Sequence, residues 1–401
     1  MDKALQVRVG EARQAALDVL LHNSHGPCRG LPRAAGWGYP EPYTRDLMIT
    51  ALGMLTCGNK RFLQPVRRVL KALARNQSKL GSIPSLAHDP AGRGASDTTP
   101  LFLIALAAYR RATGETDFLE DAARRALTWV EYQSSEDRVI VTQQPTTDWR
   151  DEHWVLGQGL YVNALVYAQL RLFGFHRRAE YLRTHMNWPI QKPQLDSGHP
   201  HAGLAVPGKP YYALWSFKLY GSERFDLLGN SLAILTGIAS PSRSAAIVSW
   251  AEKKSAALRR AGELAVDLPP CLMPYMRPGD PDWRTRYGFY NKIGAYHNGG
   301  VWPFICGFYV AALVAAGRQR LAEQRLSALT DLVRPARAAN VEFGFNEWFQ
   351  ARTGKPEGQD WQTWSAGMYL YAAACVEQRK TPFFDEMRRY GARPLNRAAE
   401  W

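Results

Sequence analysis

At 401 residues, with 46% hydrophobic and 21% charged side chains and a mean hydropathy of -0.32, the chain has the make-up of an ordinary globular protein. That composition excludes disordered, collagen-like and disulfide-scaffold classes. Five cysteines, widely spaced and without a CxxC pair, speak against a zinc knuckle and fit a reducing compartment. The net charge of +14 is spread out. Pairs such as Arg110-Arg111, Arg124-Arg125 and Arg259-Arg260 read as solvated helix faces, and no basic patch interleaved with stacking aromatics marks a nucleic-acid binder.

The opening stretch, MDKALQVRVGEARQAALDVLLHN, mixes charges throughout and has no continuous apolar region, so no secretory signal is expected. Periodicity then gives helical stretches around 8–22, 45–57, 62–75, 97–112, 117–132, 154–173, 176–187, 210–220, 223–238 and 242–260, with two within 300–332 and two within 361–390. The best strand signal is the alternation at 138–142, RVIVT. The longest apolar run, 301–316, is shorter than the ~20 residues of a membrane span and begins beside Pro303, so no membrane is expected and the cytoplasm is the expected location.

Two helix types alternate. Leu101 to Tyr109, Leu160 to Leu170, Val301 to Ala316 and Trp364 to Val376 are apolar nearly all round, whereas Ala322, Leu326, Leu329 and Val333 form a single stripe between charged residues. The first kind must be covered on every side and the second keeps a wet face. The expectation is an all-α fold, a single (α/α)6 toroid domain over 1–401, with inner helices walled by outer ones and a pocket among the loops at one end.

Four of those loops combine carboxylates, aromatics and glycines. GWGYPEPYTRD carries Arg45 and Asp46 into a helix, and GASDTTP places Asp97 before another. At both aspartates, helix capping is the plain structural reading. TTDWRDEHWVLGQ crowds Asp148, Asp151 and Glu152 among Trp149 and Trp154, and GFNEWFQARTGKPEGQDWQTW sets Glu347 beside Trp348. A carboxyl group packed on indoles is desolvated and holds its proton to higher pH, which makes it a usable general acid. Paired acids are what glycoside cleavage needs, one protonating the leaving oxygen and one activating water. A fifth loop, YGFYNKIGAYHNGGVWP, brings His297, Asn298, two glycines and Trp302 to the start of a buried helix. The tryptophans of these loops offer flat apolar faces suited to sugar rings.

Taken in order, the motifs resemble those of the alkaline/neutral invertases, a glycoside hydrolase family with an (α/α)6 barrel, and more distantly those of glycogen-debranching and trehalase-like hydrolases. YHNGGVWP at Tyr296 to Pro303 is similar to the family's YHNGG loop, DWQTWSAGMYL at Asp360 to Leu370 to its QTWSIAGYL segment, and FDLLGNSLAIL at Phe225 to Leu235 to its FxLGNxxAIL helix. TRDLMITAL at Thr44 to Leu52 resembles the VRDF segment, and SDTTPLFLIALAAYRRATGE at Ser96 to Glu115 the VDSG segment.

The resemblance implies roles residue by residue. Asp151, ahead of VNALVY, takes the catalytic acid's place, with Asp148 in reserve, and Glu347 takes the base's. Asp46 and Asp97 match positions that hold the non-reducing sugar. His297, Asn298 and Trp302 line the same pocket, with Arg45, Trp149, Gln362 and Trp364 as further substrate contacts. Two departures stand out: TTP follows Asp97 where the family has a glycine and paired tryptophans, and the acid loop reads WRDEHWVLGQG where the family has MIDRRMG. The leaving-group side of the pocket is therefore expected to differ.

The reading is an inverting, exo-acting hydrolase of an α-glucosyl bond, with sucrose as first substrate and a related α-glucosidase, debranching, trehalase-like or glucosylglycerate hydrolase as the alternative. No metal or organic cofactor is expected, since the nine histidines show no HExxH spacing. The expected partner is a small carbohydrate, with self-association left open. A sugar epimerase using paired histidines, His199 and His201 foremost, and a non-catalytic sugar-binding barrel are the readings from other classes.

Overall fold

The computed structural model describes residues 1–92, 94–134, 139–190, 203–218, 220–338 and 340–388. Its helices are α1 (Lys3–Asn23), α2 (Thr44–Thr56), α3 (Leu63–Arg75), α4 (Thr98–Thr113), α5 (Glu120–Tyr132), α6 (Leu160–Leu172), α7 (His176–Met186), α8 (Leu227–Thr236), α9 (Pro241–Arg260), α10 (Pro303–Ala315), α11 (Gln319–Leu332), α12 (Thr363–Gln378) and the single turn α13 (Asp385–Arg388).

The even-numbered helices from α2 to α12 pack each on the next, and α12 closes the ring against α2. These are the helices whose sequence is apolar on most sides, and α8 and α12 bury nearly every residue. The odd-numbered helices from α1 to α11 lie outside them and bury a stripe each; in α11 that stripe is Ala322, Leu326 and Leu329, continued by Val333. Polar pairs tie the outer layer to the inner one: Glu252 on α9 accepts from Tyr309 on α10 at 2.8 Å and from Arg325 on α11 at 3.0 Å. Where α2 crosses α12 the backbones touch, and a β-carbon on Gly53 would stand 1.9 Å from the Gly367 carbonyl oxygen. The fold is thus an (α/α)6 toroid.

A small sheet interrupts this pattern. Strands β1 (Gln158–Gly159), β2 (Ala213–Phe217), β3 (Tyr220–Asp226) and β4 (Leu272–Met273) pair antiparallel in that order, and β5 (Trp348–Phe349) pairs with β6 (Pro356–Glu357). The helix expected at 210–220 is therefore a correction: that segment forms one arm of a hairpin, in which Trp215 faces Ser222 and Ala213 faces Phe225. Its apolar residues are mostly aromatic and favour strands, and Lys218 at the turn takes φ 52, a conformation no helix interior holds. The same pairing delays the start of α6, because Gln158 and Gly159 belong to β1. The RVIVT strand also fails. Arg138 lies outside the described residues, and Val141 makes only an isolated bridge to Ser134. No helix of the described residues is long and apolar enough to cross a membrane.

Candidate active site

A cavity of about 460 Å³ opens at one end of the ring. It is lined by Tyr39 and Tyr43 ahead of α2, Arg45 and Asp46 in its first turn, and Ser85, Gly94 and Ala95 ahead of α4. Thr146, Thr147, Trp149 and Asp151 come from the loop before α6, Tyr296 and Trp302 from the loop before α10, and Glu347, Gln362 and Trp364 from the approach to α12. Five inner helices thus present their amino ends to one space, the end at which backbone N–H groups favour negative charge.

Asp151 and Glu347, distant in the chain, meet in this wall. Burial pushes the Glu347 carboxyl up to about 7, with the Asp151 charge adding to the effect and the Gln359 backbone N–H, 3.3 Å from Oε2, opposing it. Glu347 is 7% exposed. Asp151 keeps an open face, yet the surrounding protein pushes it up to about 6 against the pull of Arg45, whose Nη1 lies 3.5 Å from Oδ1. Asp46, also buried, is pushed up to about 8 by desolvation, with Arg45 opposing, and accepts from Gln362 Nε2 at 3.0 Å. It is not the cap of α2; Tyr43 stands at that position.

The loop holding Glu347 is tightly determined. Phe343, Phe345 and Trp361 all take positive φ (57°, 41° and 55°), as does Tyr296 across the cavity at 46°. Non-glycine residues persist there only when their surroundings over-determine them. The surroundings are visible: Trp361 N–H donates to the Gly344 carbonyl at 2.6 Å, Glu347 N–H to Gln359 at 2.9 Å, and Asn346 donates its amide to Asp360. Asp360 in turn accepts from the backbone of Arg337 and Ala338 at 3.0 and 2.9 Å.

Four residues expected to touch substrate lie behind the wall instead. Asp97 is wholly buried and receives Arg45 Nε at 2.6 Å, Arg45 Nη2 at 3.1 Å and the Tyr161 hydroxyl at 3.2 Å, so it anchors Arg45; it stands at the N-cap position of α4, but its side chain makes no capping bond there. Asp148 accepts from the Arg150 backbone at 2.8 Å, Arg150 Nη2 at 2.9 Å and Gln143 at 3.2 Å. Burial works against its charge, but Arg150 outweighs it and holds the carboxyl below its usual range. Arg150 also pairs with Asp226, the cap of α8, at 3.1 Å.

Asn298 spends its amide on the backbone, accepting from Met276 N–H at 2.7 Å and donating to the Met276 and Asn291 carbonyls at 2.9 and 3.0 Å. His297 stacks on Tyr296 with ring centroids 3.9 Å apart and meets Trp149 edge-on at 5.1 Å. Burial first, then His153, Arg150 and Arg45, hold it well below the usual histidine range, so it is a neutral ring supporting the wall. Glycines in this loop are sterically required: a β-carbon on Gly299 would fall 2.2 Å from the Tyr275 ring. His199 and His201 lie outside the described residues.

The wall also holds residues that sequence reasoning passed over: Tyr39, Tyr43, Ser85, Gly94, Ala95, Thr146, Thr147 and Tyr296. Tyr39, Tyr43 and Tyr296 sat inside the quoted motifs and an aromatic count would have found them. Burial, with Glu347 next, pushes Tyr39 up to about 12, so it stays a neutral hydroxyl donor. Nothing in its neighbourhood singles out Ser85.

Fold and cavity define a six-hairpin helical barrel with a carboxylate-lined mouth. Comparison with known proteins gives it relatives. A family model described as alkaline and neutral invertase matches residues 221–379, a stretch that includes Glu347 and Gln362 but not the Asp151 loop. Probable alkaline/neutral invertase D of Arabidopsis thaliana is 31% identical over 160 residues, 38% of this chain and 27% of that protein. Cytosolic invertase 1 of Oryza sativa subsp. japonica is 31% identical over 159 residues, 38% and 26% of the two chains. The match spans about a quarter of the length of these curated relatives. Among solved structures, a GH63 mannosylglycerate hydrolase from Thermus thermophilus in complex with glucose superposes with a TM-score of 0.63 at 14% identity, covering 89% of this chain and 98% of that one. A wild-type glycosidase superposes at 0.61 and 15% identity, covering 95% and 100%. The sequence likeness to the invertases is confined to part of the chain, and the likeness to the solved glycosidases is one of fold.

Proposed function

We propose that the protein is a glycoside hydrolase that cleaves a terminal α-glucosyl residue with inversion, acting in the cytoplasm as a single ring domain. One observation carries the reading: Asp151 and Glu347, both with raised proton affinity, face one cavity large enough for a sugar. Asp151 protonates the glycosidic oxygen while Glu347 takes a proton from water on the opposite ring face. Inversion requires room for that water, a carboxyl separation of ~6.5–9.5 Å. Trp302 and Trp364 supply apolar faces for the ring, and Asp46 with Gln362 supplies hydrogen bonds to its hydroxyls. Sucrose is the first substrate to try, in keeping with the invertase match. Trehalose, maltose, isomaltose and glucosylglycerate complete the panel.

Asp151→Asn and Glu347→Gln should each cost about 100-fold or more in kcat on the true substrate, since each carboxyl acts in the transition state. Near-normal turnover in both variants would refute the assignment. Proton NMR of the first product reads the anomeric configuration, and retention would contradict inversion.

A further inference from the structure

We propose that Arg45 is a positioning residue for Asp151: anchored on Asp97, it holds the acid loop in register and acts on the reaction through the Asp151 carboxylate, without binding the sugar. The inference rests on the reading of Asp151 as the acid. Its ground is how the guanidinium is used. Nε and Nη2 bind both oxygens of Asp97 at 2.6 and 3.1 Å, Nη2 also donates to the Asp148 carbonyl at 2.8 Å, and Nη1 reaches Asp151 at 3.5 Å. One side chain on α2 therefore joins the start of α4 to two points of the acid loop. Tyr161 on α6 donates to Oδ2 of Asp97 at 3.2 Å, the oxygen that also receives Arg45 Nε. Only a planar fork spans such a set; an ammonium is a point charge on a flexible stem. With Asp97 neutralising it, Arg45 offers the cavity little free charge for a ligand.

The groups around Asp151 make its charge consequential. Glu152 and Asp148 on its own loop, Asp97 before α4, Asp46 on α2 and Glu347 before α12 are all acids. Glu152 is occupied by Arg286 at 2.7 Å and Asp148 by Arg150 at 2.9 Å. Tyr39, Tyr43 and Tyr296 face it as neutral hydroxyls. Arg45 is the cation bonded to Asp151 itself. A cation favours the ionised carboxylate, so removing it raises the pH to which the acid keeps its proton.

The test compares Arg45→Lys and Arg45→Gln with the wild type on the hydrolysed substrate, with folding checked by circular dichroism. Arg45→Lys keeps the charge and loses the fork; kcat should fall about 10- to 100-fold with KM nearly unchanged. Arg45→Gln should move the optimum of kcat/KM upward by about half a pH unit or more. A raised KM with unchanged kcat in the lysine variant would make Arg45 a sugar ligand and overturn the inference, as would an optimum that stays or moves down in the glutamine variant. Should the glutamine variant not fold, the kcat and KM split of the lysine variant decides alone. Asp151→Asn run in parallel separates the two failures: if it abolishes turnover while both Arg45 variants behave as wild type, only the positioning role falls.

Discussion

Gly358 is pressed against Glu347: a β-carbon there would stand 2.4 Å from Oε2 and 2.5 Å from the Glu347 β-carbon. Its backbone, at φ 73, is one that L side chains rarely adopt. Gly358→Ala is therefore expected to displace the carboxylate and lower kcat about 10- to 100-fold, with a stability loss of about 1–2 kcal/mol from the left-handed backbone. Steady-state kinetics beside a urea titration checks both. Full activity would mean that the Glu347 carboxylate has freedom the packing denies it.

Burial raises both carboxyls, Glu347 to about 7 and Asp151 to about 6, so both titrate close to neutrality, and the Asp151 charge adds to the rise at Glu347. The expected kcat/KM profile is a narrow bell with limbs near those two values and a maximum between them; the limbs belong to the pair rather than to either residue. A plateau running from pH 5 to pH 9 would contradict the coupling.

The ring was legible in the chain because burial leaves a direct mark: helices covered on all sides, such as α10, are apolar on all sides. The hairpin from β2 to β3 was not, because a short aromatic-rich segment satisfies helix and strand readings alike until its pairing partner is known. At the site, the loops were found through their carboxylates and aromatics, but depth was hidden. Asp46 and Asp97 look alike in sequence, each beside the start of an inner helix, yet one faces the cavity and the other anchors an arginine beneath it. Which aspartate meets solvent is decided by partners more than fifty residues away, and no local pattern records that.

Asp46 gives a stability test with a definite sign. Burial raises its carboxyl from an ordinary 3.8 to about 8, so the folded chain binds a proton that the unfolded chain releases between those values. The stabilisation is complete below the ordinary value and is lost as pH rises toward 8, with a slope of up to about 1.4 kcal/mol per pH unit from this group. Urea unfolding of the ligand-free protein at pH 5, 6, 7 and 8 should show falling stability. Asp46→Asn, which keeps an acceptor for Gln362, should show a shallower fall. Equal slopes in the two proteins would remove Asp46 as the cause.

Asp148 and Asp151 lie three residues apart and should fail in opposite ways. Both oxygens of Asp148 are occupied by Arg150 and Gln143, and its carboxyl is held ionised, so it has no proton to give. Its substitution by asparagine leaves Arg150 inside the ring with Asp226 as the remaining charge partner, and the loss should appear in the melting temperature. Arg150→Met is harsher, because it strands two buried carboxylates; removing one partner from a buried pair costs about 3–5 kcal/mol. Asp151→Asn weakens only the long 3.5 Å contact with Arg45, which Asp97 still anchors, and should leave the melting temperature within about 2 °C, while turnover collapses. Melting curves and kcat measured on the three variants together check this. Should Asp148→Asn abolish turnover without loss of stability while Asp151→Asn does not, the acid would be Asp148, and a proton would have to reach the cavity through a carboxylate that Arg150 now holds charged.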